Sequence, residues 1–145
     1  MENINVSFDL DGLGDTKSVA CNLAEILGVG DCVLLFGDLG AGKTTFSQFL
    51  INAMSKDEVE VTSPTFTLVQ NYDVKSGVLC HLDLYRLEHE SELMELGWDE
   101  MVQQATTLVE WPDRLGGFLP ENRLEIKIDF AKEQNHRHVT ITPFG

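Results

Sequence analysis

Apolar residues recur at Ile4, Val6, Phe8 and Leu10 with polar residues between them, the period of a half-buried strand. The turn Asp11-Gly12-Leu13-Gly14 ends that strand. Asp15 is placed to cap a helix whose apolar positions Val19, Ala20, Leu23, Ile26 and Leu27 share one face, with Gly28 and Gly30 closing it. The unbroken run Cys32-Val33-Leu34-Leu35-Phe36 predicts a strand covered on both faces. A glycine-rich turn then leads into a helix from about Lys43 to Met54, with Phe46, Phe49, Leu50 and Ala53 inward. Residues 65–74 and 78–84 flank a Lys75-Ser76-Gly77 turn and predict a hairpin. Short helices are expected over 90–96 and 99–103, followed by an apolar strand from Ala105 to Trp111 that Pro112 ends. The tail alternates at Leu124, Ile126, Ile128 and Phe130 and again at Val139 and Ile141, across a polar turn at 132–136.

Strand, glycine-rich turn, helix is the context in which one motif has chemical meaning. Gly37-Asp38-Leu39-Gly40-Ala41-Gly42-Lys43-Thr44 matches G-x-x-x-x-G-K-[ST] in full. Glycines let the backbone curl with its N–H groups inward, and the helix N-terminus adds partial positive charge where β- and γ-phosphates sit. Lys43 supplies a full charge to those phosphates, and Thr44 a hydroxyl able to ligate Mg²⁺. A turn that merely joins strand to helix is the competing reading, and a lysine in a helix's first turn opposes the dipole under it. With the motif in place, the pattern predicts an α/β fold: a P-loop NTPase-type three-layer domain, single over 1–145, with a mixed, largely parallel central sheet and a C-terminal antiparallel hairpin.

Charge narrows the partners. The chain has 145 residues, with 24 acidic against 10 basic side chains and a formal charge of −14. A surface this negative repels polyphosphate backbones, whose capture rests on Lys and Arg, so direct binding of nucleic acid, DNA included, is not expected. No apolar run reaches the ~18 residues of a spanning helix, and no basic and apolar leader opens the chain, so no membrane partner and a cytoplasmic location are expected. Cys21, Cys32 and Cys80 have neither even number nor C-x-x-C spacing and read as small buried thiols. A nucleotide must also enter against an adverse field, which predicts weak, Mg²⁺-dependent and salt-sensitive affinity.

A phosphate loop works with an acid at the end of a neighbouring strand. Asp83 follows Val78-Leu79-Cys80-His81-Leu82, and Glu110 follows Thr107-Leu108-Val109. Each is a candidate for magnesium or its water; a solvated strand-end acid or an ion pair is the alternative for each, and which would ligate directly stays open. Thr65, between Pro64 and Phe66, fits either a switch threonine sensing the γ-phosphate or a turn cap. Arg86 fits a phosphate partner or a surface ion pair, and Trp111 a base-stacking or packing role. His136 and His138 share a strand face without a visible third ligand and read as exposed histidines.

The blocks Gly37 to Phe46 (G-D-L-G-A-G-K-T-T-F), Ser63 to Val69 (S-P-T-F-T-L-V), His81 to Leu87 (H-L-D-L-Y-R-L) and Val109 to Pro112 (V-E-W-P), in this order, resemble the TsaE (YjeE) family. The resemblance implies a P-loop ATPase of the bacterial threonylcarbamoyladenosine tRNA modification pathway that binds ATP, hydrolyses it slowly, and acts on the complex of TsaD and TsaB. It implies Thr44 and Glu110 at Mg²⁺, Asp83 in the Walker B role, Thr65 as switch, and Trp111 near the nucleotide. Thr45 would join the phosphate loop, and the segment from Leu13 to Thr16 would border the adenine. Two other classes compete. A small-molecule kinase would need a cationic lid, yet Arg86, Arg114, Arg123 and Arg137 are dispersed. A nucleotide-sensing module would order its switch without relevant turnover. A GTPase is disfavoured by the lack of N-K-x-D.

Overall fold

The computed structural model describes residues 5–38, 41–62, 64, 67–130 and 136–145. Its elements run β1 (Val6–Leu10), α1 (Leu13–Ile26), β2 (Cys32–Phe36), α2 (Lys43–Met54), β3 (Val69–Val74), β4 (Gly77–Asp83), α3 (Ser91–Glu95), α4 (Trp98–Gln104), β5 (Thr106–Glu110), a 3₁₀ segment at Pro112–Phe118, β6 (Arg123–Phe130) and β7 (Arg137–Phe144). The strands form one sheet in the order β1-β7-β6-β2-β5-β4-β3. Central strands β6, β2, β5 and β4 run parallel, whereas β3, β7 and β1 add antiparallel edges.

The apolar strand β2 and the strand β5, Thr-Thr-Leu-Val-Glu, are buried along almost their whole length, because helices cover both sheet faces. Val33, Leu35, Leu79, Leu108, Ile126 and Ile128 pack under α1 and α2 with Phe46 and Leu50. The alternate positions Leu34, Leu82 and Val109 face the other way, against Leu93, Trp98 and Leu115. Period-two alternation across a doubly covered sheet yields three layers. The indole N–H of Trp98 donates to the Phe118 carbonyl at 3.0 Å, tying α4 to the 3₁₀ segment.

Several local expectations shift. α1 starts at Leu13 with Gly12 before it and no side-chain cap. Asp15 instead sits in the first turn and accepts the Asp11 N–H at 2.9 Å, closing the entry turn from inside the helix. α1 ends before Gly28, and Ile26, counted on the inner face, is 74% exposed. In α2 the buried face is broader than expected and turned: Phe46, Leu50, Ile51 and Met54 are buried, while Phe49 and Ala53 are only partly so. The strand expected over 65–74 is described from Val69; residues 65 and 66 lie outside the described residues, and at 67–68 the chain turns instead, the N–H groups of Thr67 and Leu68 both returning to the Pro64 carbonyl and Leu68 taking a left-handed φ of 66°. β1 is an edge strand, so Val6 and Phe8 remain about 44% and 43% exposed and only Leu10 is buried. Among the described residues no helix is long and apolar enough to cross a membrane.

Candidate functional site

β2 delivers the chain to Gly37 at φ 153°, where an added Cβ would stand 2.6 Å from the Ile128 carbonyl oxygen of β6. Only glycine fits so close an approach. The loop returns through an Ala41 N–H bond to the Asp38 carbonyl (3.0 Å) and enters α2 through Gly42 in the left-handed region, at φ 108°. No side chain caps α2, so its first N–H donors are left for an anion. Lys43 lies in that first turn. Its ammonium donates to the Gly37 carbonyl at 2.6 Å and sits 3.5 Å from the ring centroid of Trp111. Burial pulls the Lys43 pKa below 10.5, opposed by the nearby charges of Glu110, Asp83, Asp113 and Asp38.

The two strand-end acids meet by register. β4 and β5 pair in parallel with Asp83 opposite Glu110, and both carboxylates are buried on the sheet face beneath α2. Neither is a solvated strand-end acid. Asp83 Oδ1 accepts the Tyr85 N–H at 3.0 Å. Glu110 has a neighbour at each oxygen: the Thr44 hydroxyl lies 3.4 Å from Oε1, and His81 Nε2 lies 2.6 Å from Oε2. Trp111 follows in a left-handed conformation, φ 57°, which turns its ring back over Lys43 and against Tyr85, with ring centroids 5.0 Å apart. A non-glycine residue at such a φ is strained, and strain of this kind clusters at working sites.

A cleft of about 370 Å³ opens on the other side of the loop, within the range of small-ligand pockets. Asp11, Leu13 and Thr16 wall it from the β1–α1 entry, Ala41 and Thr45 from the loop and α2, and Arg137 from β7. Arg137 Nε donates to the Ala41 carbonyl at 3.2 Å, and its guanidinium lies 4.4 Å from the Phe130 ring centroid.

Lys43, Thr44, Asp83, Glu110 and Trp111 thus gather at the phosphate end, while Thr16 and Thr45 stand at the cleft. Trp111 lies over Lys43 and is not among the residues that wall the cleft. Asp38 is exposed on the loop, and Leu39, Gly40 and Thr65 lie outside the described residues. The hydroxyl of Thr44 and the two carboxylates are hard oxygen donors. Among the described residues no group of three or more His, Cys, Asp or Glu side chains forms a self-contained metal cage. That donor set suits Mg²⁺, which keeps waters and shares a bound phosphate. Two residues escaped the sequence reading. His81 was counted in an apolar run, although its place two residues before Asp83 puts both on one strand face. Arg137 opens β7, paired with Phe130 of β6 and Leu10 of β1, and reaches the loop at the Ala41 carbonyl, a contact that no local pattern announces. His136 and His138 are half-exposed and each lies beside an aspartate, Asp11 at 3.4 Å and Asp9 at 2.8 Å.

Comparison with known proteins shows the family of the chain. The family model for "Threonylcarbamoyl adenosine biosynthesis protein TsaE" matches residues 10–139. The tRNA threonylcarbamoyladenosine biosynthesis protein TsaE of Bacillus subtilis is 40% identical over 132 residues, which is 90% of this chain and 81% of that one. The Rickettsia felis protein of the same name is 36% identical over 128 residues, 88% of this chain and 75% of the other. The crystal structure of Bacillus subtilis YdiB superposes with a TM-score of 0.79 at 32% identity, covering 100% of this chain and 89% of that chain.

Proposed function

The chain belongs to the TsaE family of tRNA threonylcarbamoyladenosine biosynthesis proteins, and from that premise we propose that it is a one-domain, cytoplasmic, Mg²⁺-dependent ATPase that turns over slowly alone and acts on TsaD and TsaB homologues. It meets tRNA only through those proteins. The observation that carries this reading is the convergence of Lys43, Thr44, Asp83 and Glu110 on one glycine-built cradle.

The loop 37–45 takes the phosphates, with the α2 N–H donors and Lys43 directed at charge developing on the transferred phosphoryl group. To meet a phosphate Lys43 leaves the Gly37 carbonyl and the Trp111 face, and the anion relieves the strained burial of its ammonium. Thr44, Glu110 and Asp83 would hold Mg²⁺, directly or through its waters, and the ion would offset phosphate charge. The 3.4 Å between Thr44 and Glu110 is long for a hydroxyl–carboxylate hydrogen bond, so the pair is a contact an ion can enter. The adenosine end occupies the cleft by Leu13 and Thr16, which Arg137 walls from β7. Thr65 is assigned the switch. No arginine of this chain is assigned to the transferring phosphate, which fits slow intrinsic turnover and stimulation by a partner.

Phosphate release from ATP tests the proposal, measured for the chain alone and with TsaD and TsaB homologues. Wild type should accelerate with the partners, and Lys43→Ala and Glu110→Ala should abolish release in both settings. Equal rates with and without the partners, or undiminished turnover in Lys43→Ala, would sink it.

A further inference from the structure

The face of β4 that points to α2 carries Leu79, His81 and Asp83, beside Leu108 and Glu110 of β5. His81 has no exposed surface, and among the described residues its Nδ1 has no hydrogen-bond partner. An apolar side chain would fill the same volume without leaving a ring nitrogen unsatisfied, so packing does not account for histidine at this position. Its polar contact is Nε2 to Glu110 Oε2, at 2.6 Å. An ionised carboxylate can only accept, so Nε2 carries the hydrogen. The contact occupies one oxygen of a carboxylate whose other oxygen, Oε1, faces the Thr44 hydroxyl at 3.4 Å.

We infer that His81 is a positioning residue: by taking Oε2 it pins Glu110 in one rotamer and presents Oε1 alone toward Thr44 and the phosphate side of the cradle. Glutamate has three side-chain torsions, and a buried carboxylate without this anchor has no fixed direction in which to offer its free oxygen. Partners that orient a ligating or reacting group through its far atom matter nearly as much as the group itself, and their loss costs about 10–100-fold in metal affinity or activity. The inference rests on the proposed function, since it takes Glu110 as the carboxylate at the reacting end.

His81→Gln carries an amide donor out to the place of Nε2, whereas His81→Asn is polar but too short to reach Glu110. The expected result is a kcat about 10–100-fold lower in His81→Asn, with a raised half-saturating Mg²⁺ concentration and an unchanged KM for ATP, because the loop is untouched. His81→Gln should recover most of that loss. A purely structural role would lower the melting temperature of both variants alike and leave the Mg²⁺ dependence as in wild type, and that outcome overturns the inference. Independently of turnover, the ring ¹⁵N resonances of His81 should report the Nε2–H tautomer in the free protein, and lose that preference in Glu110→Ala. An Nδ1–H tautomer in wild type also overturns it. If Glu110→Gln turns over like wild type, the assignment of Glu110 fails and takes this inference with it. If Glu110→Gln is inactive while His81→Asn matches wild type, the inference alone fails.

Discussion

Replacing Gly37 by alanine tests the close approach on which the cradle is built. The new Cβ would lie 2.6 Å from the Ile128 carbonyl oxygen and 3.4 Å from the Ala41 Cβ, whereas real Cβ atoms essentially never come within 3.0 Å of such a neighbour. Both neighbours belong to ordered backbone or a short buried side chain, so neither can swing aside. Two costs combine: about 1–3 kcal/mol for a side chain at φ 153°, and about 1–3 kcal/mol for the forced backbone shift. A loss of about 2–6 kcal/mol lowers the melting temperature of a domain this size by about 6–20 °C. Gly42→Ala is the internal control. Its φ of 108° carries the same kind of conformational penalty, but nothing lies within 4 Å of its added Cβ. It should lose only about 1–2 kcal/mol. Thermal and urea unfolding of both variants, with nucleotide titration of each, measures the difference. Gly37→Ala should also bind nucleotide less well, since the carbonyl that perches Lys43 moves with it. A Gly37→Ala protein that melts no lower than Gly42→Ala refutes the steric reasoning.

The other expectations follow from burial. Lys43→Met should abolish nucleotide binding yet melt at or above wild type at neutral pH, because it removes an ammonium whose charged form burial disfavours. With the folded pKa below 10.5, the unfolded chain binds more protons between the two values. Wild type therefore regains stability as pH rises through that window, and the gap to Lys43→Met should narrow toward pH 10.5; a widening gap contradicts the sign. Burial raises the Cys32 thiol to about 11 and pushes Cys80 upward too, while Cys21 is only partly buried. A thiol reagent at pH 8 should thus modify Cys21 first and the other two only on opening, and three equal fast phases would count against it. Trp98→Phe should cost about 1–3 kcal/mol by orphaning the Phe118 carbonyl, leaving nucleotide affinity unchanged.

The loop from Gly37 to Thr44 was legible because its chemistry is local: glycines, a lysine and a hydroxyl in fixed spacing between an apolar strand and a helix. Asp83 and Glu110 were legible as strand ends, and their juxtaposition then follows from parallel register. What period and composition miss is long-range. Ile26 and Phe130 read as inward by alternation, yet they are 74% and 53% exposed, because helix and strand end where their covering layer does. The 3₁₀ segment after Pro112 was invisible, since it depends on a left-handed Trp111 that no propensity favours. Trp111 takes that conformation where its ring meets Lys43 and Tyr85.

The zipping of β1 to β7 has a consequence during synthesis. The cleft is walled by Asp11 and Thr16 near one end of the chain and by Arg137 near the other, and Arg137 bridges 96 residues to reach Ala41. A ribosome-bound chain that lacks β7 can assemble β2, α2, β5 and β4, and hence the phosphate loop with its acids, but not a closed cleft. Completing it requires the longest-range contacts of the fold, which form late because their loop-closure entropy must be met first. A ligand that fills the cleft therefore stabilises the one pairing that joins the two ends of the sequence. Occupancy of the cleft and completion of the fold become linked equilibria, and a ligand held there would act as a folding clasp on the newly made protein.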